Sequence, residues 1–417
     1  MFVQQVKTMN TIVESIGLIL FLLCNGVALF ASGLLFKELA DISQWVIQSE
    51  RNKTMHVWYY RHRYSALTLI ALFLSWVIYI AEPEVMPLSV LLLLSGTIIL
   101  FYYSGYINPH VMMRARMKDG MFVSVDAARR YYADDESVIV LEVNGEARAH
   151  SDKDLLRPHV AGAGPIGGEN VVMTYCGLSN LGVAYTPELN GVALDLAPMN
   201  QLENNLVMWD KNSGEPIQQL WGQRECDINS ANSDAKMREW PTFRMPFEKF
   251  ALAYPNGEVF INDYLAKETR VSFWKNPVLA VYDFIMDFIF TTAIKHQSSK
   301  DSPTFPTIKH KDDRLANKTH VWGLAVADDY VAYTEDFVRQ HGNLINTSIG
   351  GRAVVICYDK DYQSLVAFYN DTGHAIEHVD FFGVTADAKL PRVESMKAGI
   401  YWMIWANFYP TTDLNRR

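Results

Sequence analysis

Cys176 is the residue in this 417-residue chain whose type and position most clearly could carry chemistry. It ends an apolar run from Asn170 to Cys176, and a turn-forming run from Gly177 to Asn180 follows. A side chain at a strand end beside a loop can emerge from a sheet, and such positions often hold sites. The alternative is that Cys176 is a small buried hydrophobic residue, as free cysteines usually are.

Two histidines, His150 and His159, lie upstream of Cys176. A thiolate and neutral imidazoles are suitable ligands for a soft or borderline transition metal ion, so these three residues form a predicted metal site. The same residues could instead form an activated nucleophile, in which a histidine accepts the thiol proton. No close ligand spacing favours the metal, and a lone histidine in a strand is more often structural. We therefore expect metal or ligand binding before nucleophilic catalysis, with no other cofactor indicated.

A second group of residues that could line a ligand site lies between Asn204 and Gln223. Met208, Trp209 and Asp210 could line a pocket there, and methionine is a plausible soft ligand. The alternative, which we favour, is two strands with a turn at Asn212–Gly214 and aromatic side chains in the core. With Tyr175, the predicted ligand-binding set becomes Tyr175, Cys176, His150, His159, Met208 and Asp210.

The element that carries Cys176 has a second copy in the chain. Leu141–Ala184 aligns without a gap on Leu324–Ala367, an offset of 183 residues (141 to 324), and includes the matched pairs Gly167/Gly350 and Gly168/Gly351. Further on, Phe250 and Tyr254 align with Trp405 and Tyr409. The alignment predicts an internal duplication in which Asp359 replaces the thiol in the second copy.

Three apolar segments precede the duplicated part. Ile16–Phe36, Ser65–Ala81 and Val85–Ile107 contain 21, 17 and 23 residues without a charge, whereas about 20 are needed to cross a bilayer. We predict three transmembrane helices. Basic residues between the first two segments and after the third place the soluble part in the cytoplasm by the positive-inside rule, with the periplasm as the alternative.

The net charge and the cysteines limit the classes of partner and the cellular compartment that the sequence favours. The net charge is −9 and no basic stripe lies outside the membrane flanks, which excludes nucleic acid as an expected partner. The expected partners are the lipid bilayer and other membrane proteins. The four cysteines show no paired framework of the kind that secreted scaffolds use.

The soluble part is predicted to be mostly antiparallel β structure. Val138–Val143, the turn Asn144-Gly145 and the run after it form a strong hairpin signal. Ser298–Asp313 has the composition of a linker or exposed loop. Before it, Pro277–Ile294 is apolar except for Asp283 and Asp287. We favour a helix packed on the soluble core over one that lies on the membrane with Trp274 and Phe284 inserted.

Four motifs in order then resemble a family. The runs VIVLEVNGEARAH, VVMTYCGLSNLGVAY, NNLVMWDKNSGEPIQQLWGQ and AYPNGEVF are similar to domain-of-unknown-function family 3179. The resemblance covers most of Val138–Val259 and implies a bacterial membrane-associated or exported protein, with the inner membrane as the expected location. The activity of that family is not established.

The chain departs from the family pattern where chemistry is expected. The family's usual Cys-x-x-Cys turn, which could bind a metal or cycle as a dithiol, is Cys176-Gly177-Leu178-Ser179 here. A dithiol cycle within this motif is therefore excluded. In the segment after His150, only His159 resembles a retained family residue.

Together these observations predict an α+β protein. Residues 1–118 form a membrane domain with three helices, and 119–297 and 298–417 form two repeats of a mostly antiparallel soluble domain. The predicted function is ligand or metal binding near Cys176 by a membrane-anchored protein. The alternatives are a thiol-dependent enzyme that uses Cys176 with a histidine, and an accessory subunit of a membrane complex.

Overall fold

The computed structural model of the chain describes residues 2–47, 49–112, 121–156, 159–226, 235–262 and 272–416, without some side chains inside these ranges. The described residues belong to two compact units, 1–113 and 114–417. The predicted boundary at 118/119 falls in 113–120, which lie outside the described residues, as does most of the basic stretch after the third apolar segment.

The N-terminal unit is helical. Its helices are α1 (Phe2–Leu39), α2 (Arg51–Ala81) and α3 (Leu88–Tyr102), with 3-10 turns at Asp41–Trp45 and Pro83–Val85 and a π-helix at Tyr103–Met112. Three spans, Ser15–Leu39, Arg51–Ala81 and Leu88–His110, are long and apolar enough to cross a membrane. This agrees with the three predicted segments. Side-chain hydrogen bonds join the helices, such as Asn25 Nδ2 to Ser75 Oγ at 2.6 Å.

The soluble unit, residues 114–417, contains short helices and one long one. They are α4 (Val125–Ala128), α5 (Asp152–Leu155), α6 (Phe247–Ala253), α7 (Pro277–Ser299), α8 (Glu335–Gln340) and α9 (Trp402–Phe408). Thr334 caps α8 by accepting a hydrogen bond from the Phe337 amide at 3.3 Å, and threonine is among the residues that helix N-termini favour at this position.

Strands fill most of the first half of the soluble unit. In chain order they are β1 (Met121–Ser124), β2 (Ser137–Val143), β3 (Glu146–Ser151), β4 (Val160–Ile166), β5 (Glu169–Cys176), β6 (Leu181–Tyr185), β7 (Glu188–Leu189), β8 (Val192–Ala193), β9 (Leu196–Leu202), β10 (Asn205–Asp210), β11 (Pro216–Gln218), β12 (Gln223–Arg224), β13 (Glu239–Trp240), β14 (Thr242–Pro246) and β15 (Glu258–Ile261). The predicted hairpin at Asn144-Gly145 is confirmed, since both residues have positive φ, 51° and 89°.

The second half contains the remaining described strands. They are β16 (His320–Val326), β17 (Asp329–Tyr333), β18 (Leu344–Ile349), β19 (Arg352–Asp359), β20 (Ser364–Tyr369), β21 (Lys397–Tyr401) and β22 (Asp413–Leu414). Gly350 joins β18 to β19 with φ 57°, and a Cβ there would lie 2.3 Å from the carbonyl oxygen of Val326. The turn therefore requires glycine at this position.

The sheets are mostly antiparallel, as predicted. Among the described residues they have the orders β1-β15-β3-β2-β14, β12-β11-β10-β9, β13-β6-β5-β4, β21-β16-β17-β22 and β18-β19-β20, with a small β7-β8 pair. The exceptions are the parallel pairs β15/β3 and β17/β22. The five larger sheets form a propeller-like arrangement of five blades, and each draws its strands from one half only.

One hydrophobic core joins the two halves. Phe243 of β14 and Phe381 of the second half are buried with their ring centroids 5.4 Å apart in an edge-to-face arrangement. Truncating a buried Phe costs about 3–5 kcal/mol in a typical core. The halves therefore fold against each other and are held together by apolar packing.

The first residues of the second half form a loop, as predicted, but the loop is not exposed throughout. Ser298–Asp313 has no described helix or strand beyond Ser299, but Phe305 within it is buried in the core. The preceding helix α7 exposes Val278, Phe284 and Phe288. The prediction that its apolar face packs on the soluble core is therefore wrong for these residues, while the side chains of Asp283 and Asp287 lie outside the described residues.

Candidate functional site

Cys176 lies at the end of β5, as predicted, but its sulfur points into the protein. The residue has no exposed surface, and its Sγ–H donates to Gln201 Oε1 at 3.1 Å. Burial raises the pKa of the Cys176 thiol. The side chain therefore stays a neutral thiol near neutral pH instead of forming an accessible thiolate.

The turn after Cys176 belongs to a buried network of hydroxyl and amide groups. Ser179 Oγ donates to Asn205 Oδ1 at 2.9 Å, and Asn205 Nδ2 donates to Gln218 Oε1 at 2.7 Å. Gln218 in turn donates to Glu225 Oε1 at 3.2 Å. Because buried polar groups must be paired, this chain of bonds fixes the Cys176 turn against the hairpin β9–β10. The family's second cysteine position is thus occupied by a hydroxyl with a specific partner.

The two histidines of the predicted metal site are buried in sheet regions. Burial lowers the pKa of His150 to about 3 and the pKa of His159 to about 4. His150 lies in β3 with its ring 5.7 Å from that of Phe260, and the carbonyl of His159 accepts from the Tyr175 amide at 2.8 Å. Both are neutral at physiological pH.

The described residues give no support for a metal centre at these positions. In the part of the chain that the structure describes, no group of three or more His, Cys, Asp or Glu side chains could hold a metal ion. The metal site predicted at Cys176, His150 and His159 is therefore not supported. The chain has four cysteines, all free, so Cys176 is single only within its own turn.

The other predicted ligand residues have structural partners. Met208 is fully buried in the same hydrophobic core as Cys176. Asp210 ends β10 and accepts hydrogen bonds from the amide and hydroxyl of Ser213 at 2.9 and 2.6 Å. Burial alone would raise the pKa of Asp210, but these hydrogen bonds outweigh it and lower the pKa. Met208 and Cys176 belong to one hydrophobic core, while Asp210 caps a turn.

Tyr175 leads to a cluster that the sequence did not indicate. Its hydroxyl donates to Asn180 Oδ1 at 3.3 Å, and burial raises the pKa of Tyr175 well above its usual value. Asn180 Oδ1 and its backbone carbonyl also accept from Arg244 at 3.2 and 3.1 Å. Arg244 donates to both carboxylate oxygens of Asp152, at 3.0 and 2.9 Å.

Arg244 connects the two halves. Its Nε donates to the carbonyl of Ala398 at 3.2 Å, and Asn180 Nδ2 donates to the carbonyl of Gly399 at 2.8 Å. All three nitrogens of Arg244 have acceptors, which leaves no donor for a ligand. This cluster therefore fixes the Cys176 turn to β21 and is a structural link, not a binding site.

A cleft between the halves has the open space that the Cys176 turn lacks. It has a volume of about 590 Å³, within the range of small-molecule sites. We call it the Trp240 cleft. Its lining is Leu220, Trp221, Lys236, Met237, Arg238, Glu239, Trp240, Pro241, Ala325, Pro391, Arg392, Glu394, Ser395, Lys397 and Tyr409.

The charged residues of the Trp240 cleft differ in burial. Lys397 is 2% exposed and forms an ion pair with Glu239. Burial raises the pKa of Glu239, and Lys397 opposes this shift. At the rim, the Arg238 guanidinium lies 3.9 Å from the ring centroid of Trp240. Cationic groups thus line both the floor and the rim.

Two other clefts are lined from one half each. One, of about 440 Å³, is lined by residues between Gly145 and Glu258, and the other, of about 590 Å³, by residues between His374 and Asp387. Cys176 lines none of these three clefts. Since ligand pockets favour boundaries between domains, the Trp240 cleft is the better candidate.

Sequence reasoning missed this cleft because its members are distant along the chain. Lys397 and Glu239 are 158 residues apart. The signal that could have found them is a charge inside a short strand next to apolar neighbours: Lys397 opens the strand KAGIY, and Glu239 precedes Trp240. Such residues are seldom buried unless paired.

Comparisons with known proteins identify a family only. The model of the family described as a protein of unknown function (DUF3179) matches residues 109–412. No curated protein and no solved structure matches the chain.

Proposed function

The chain belongs to the DUF3179 family of proteins of unknown function, and on this premise we propose that it is a membrane-anchored protein that binds a small organic anion in the Trp240 cleft. The observation that carries the proposal is the charge of the cleft wall. Lys236, Arg238, Arg392 and Lys397 face two carboxylates, Glu239 and Glu394. Cations outnumber carboxylates by four to two within the lining itself, while Glu142 and Glu169 outside the lining pair with Arg392 and Arg238.

The cations differ in how available they are to a ligand. Lys397 pairs with Glu239, and Arg392 pairs with Glu142 at 3.1 Å. Arg238 is 59% exposed and pairs with Glu169 at 3.0 Å, and Glu169 lies outside the cleft lining. Lys236 is exposed and makes no ion pair with any residue that the structure describes. Because an exposed ion pair is worth only about 0–1 kcal/mol, we expect Lys236 and Arg238 to be the cations that contact the anion.

Aromatic groups supply a surface for the rest of the ligand. Trp240 and Tyr409 are mostly buried, and with Trp221 they line the cleft from both halves. Flat apolar surface beside cationic groups suits a molecule that combines a ring with a phosphate, sulfonate or carboxylate. The proposed ligand class is an aromatic anion.

The test uses phenyl phosphate as the probe with the full chain in lipid nanodiscs. Binding is measured by titration calorimetry, with inorganic phosphate and phenol as separate arms that isolate the charge and the ring. We expect Lys236→Ala and Arg238→Ala each to weaken phenyl phosphate binding about tenfold, equal to 1.4 kcal/mol. Lys360→Ala, an exposed lysine outside the cleft, is the matched control and should change nothing.

The outcomes are distinct. Binding of phenyl phosphate that survives both cleft substitutions, or that Lys360→Ala weakens equally, would place the anion elsewhere on the surface. Absence of binding by all three probes would refute the anion proposal. Binding of phenol alone would leave an apolar site and remove the role of the cations.

The thiol-dependent enzyme is the weaker proposal. It requires an ionised, accessible sulfur, whereas Cys176 is buried and its pKa is raised. The role that its contacts support is structural, because the sulfur and the adjacent turn hold β5 against the hairpin β9–β10 through Gln201 and Asn205.

We also propose that the halves of the soluble unit derive from a duplication. The Gly167 amide donates to Glu146 Oε2 at 2.9 Å, and the Gly350 amide donates to Asp329 Oδ2 at 3.0 Å. The two glycines are 183 residues apart, and so are their two acceptors. The parallel strand pairs β15/β3 and β17/β22 occupy corresponding places. These likenesses support the proposal.

For the location we retain the proposal of a bacterial inner membrane protein with a cytoplasmic soluble unit. The basic residues between the first two apolar segments of the sequence, Ile16–Phe36 and Ser65–Ala81, support it. Cys226 is exposed, so a membrane-impermeant maleimide provides the test. Labelling of Cys226 in broken membranes but not in intact spheroplasts is expected, and labelling in spheroplasts would assign the periplasmic side.

A further inference from the structure

The helix α7 and the turn before it carry an apolar surface that the described part of the soluble unit leaves uncovered. Trp274 is 90% exposed, and Phe284 is 73% exposed. We call this set the α7 surface, and its members are Trp274, Val278, Val281, Phe284, Ile285 and Phe288. Exposed apolar side chains concentrated in one segment in this way mark an interaction site.

The members of the surface that lie within α7 share one face of the helix. Val278, Val281, Ile285 and Phe288 follow the three- and four-residue spacing that places side chains on the same side of a helix. The exposed face continues into Lys295 near the C-terminal end. The α7 surface is therefore an apolar stripe with a basic residue at its end.

The C-terminal end of α7 is fixed to the soluble unit. Gln297 is 2% exposed, and its Nε2 donates to the carbonyl of Leu178 at 2.5 Å, within the turn after Cys176. The Gln297 Oε1 accepts a hydrogen bond from Thr304. Because these bonds hold the last turn, the exposed stripe projects from a defined attachment point.

We propose that the α7 surface lies in the interface of a lipid bilayer that contains anionic lipids. The same chain carries three spans that could cross a membrane, so a bilayer is available to it. Trp274 stands at the N-terminal end of the stripe, and tryptophan is enriched at the boundary of hydrocarbon and headgroups. The exposed Lys275 and Lys295 flank the stripe, where they match the charge of anionic headgroups.

The test places a nitroxide label on the surface of the full chain in nanodiscs. Phe284→Cys and Phe288→Cys are made in a Cys226→Ser background, because Cys226 is the exposed native thiol. The matched control is Val192→Cys in β8, an apolar side chain that is 59% exposed but distant from α7 in the sequence. Thermal unfolding confirms that each labelled variant is folded.

We expect the ratio of oxygen to nickel-chelate accessibility to be several-fold higher at positions 284 and 288 than at 192, because oxygen enters the acyl region and the chelate does not. Lys275→Glu combined with Lys295→Glu should lower that ratio in nanodiscs with anionic lipid. A water-like ratio at 284 and 288 would overturn the proposal. So would a label hidden from both reagents, which indicates protein packing, or dipolar broadening between labels, which indicates a second copy.

Discussion

Lys397 and Glu239 form an ion pair between the two halves of the soluble unit, in which the Lys397 ammonium donates to Oε1 of Glu239. Lys397 opens β21, and Glu239 opens β13. Both side chains line the Trp240 cleft and are largely withdrawn from water. The pair therefore combines a structural link with the floor of the proposed site.

Removing one partner of this pair should destabilise the protein strongly. Lys397→Ala leaves the Glu239 carboxylate buried without its partner, a change that costs about 3–5 kcal/mol in comparable pairs. The double variant Lys397→Met/Glu239→Gln removes both charges and should recover most of that loss. Chemical unfolding of the full chain in nanodiscs, followed by tryptophan fluorescence, measures each value. Equal instability of the single and double variants would contradict the buried-charge explanation.

The cysteines should differ sharply in reactivity. Cys176 and Cys357 are buried, whereas Cys226 is exposed. With N-ethylmaleimide at pH 8, we expect Cys176 to react about 100-fold more slowly than Cys226, since access requires a local opening of about 3 kcal/mol. Peptide mass spectrometry over time gives the rates, and denaturant should abolish the difference. A Cys176 that reacts as fast as Cys226 would restore the thiol-enzyme hypothesis.

Gly399 should be intolerant of a side chain because Arg244 occupies the space. Gly399 has φ 75°, and a Cβ there would lie 2.8 Å from Cδ and Nε of Arg244. We expect Gly399→Ala to cost about 2–3 kcal/mol, of which about 1 kcal/mol is backbone strain. In an Arg244→Ala background only the strain should remain, a coupling of about 1–2 kcal/mol.

A matched glycine separates the two contributions. Gly373 has φ 80°, and a Cβ there would meet no atom of the described residues within 4 Å, so Gly373→Ala measures strain alone. Urea unfolding of the four combinations at 244 and 399, beside Gly373→Ala, completes the cycle. Additive costs at 244 and 399 would show that the two residues do not compete for the same space.

The hairpin and the spans could be predicted because their signals are local. Asn144-Gly145 determines a tight turn by itself, and the apolar runs of α1 to α3 need no knowledge of the rest of the fold. The direction of the Cys176 side chain could not be predicted. It depends on Gln201 and Asn205, which the hairpin β9–β10 brings against the turn.

The candidate site was unpredictable for the same reason on a larger scale. The Trp240 cleft exists only when β13 and β21 approach each other, and Arg244 acquires its role only through Ala398 in the other half. A single sequence reveals which residues have side chains that could bind or react. Which of them meet across more than 150 positions of the chain is determined by the packing of the two halves. The metal prediction is not supported because, among the described residues, proximity in sequence did not bring His150, His159 and Cys176 into one ligand set.

The buried histidines should make the soluble unit less stable as the pH falls. His150 has an ordinary pKa of 6.5 when unfolded and a pKa of about 3 in the fold, because burial disfavours its charged form. Between these values the unfolded chain binds more protons than the folded one. The contribution of His150 to the free energy of unfolding is therefore fully present above pH 6.5 and declines as the pH falls. From pH 7 to pH 5 the loss is about 2 kcal/mol for this residue.

The measurement compares urea unfolding of the full chain at pH 7 and pH 5 with that of His150→Gln. We expect the variant to be less sensitive to pH by about 2 kcal/mol, whatever its stability at pH 7. His378→Gln is the control, since His378 is exposed, and it should keep the pH dependence of the parent. An unchanged pH dependence in His150→Gln would show that His150 is not held neutral by burial in β3.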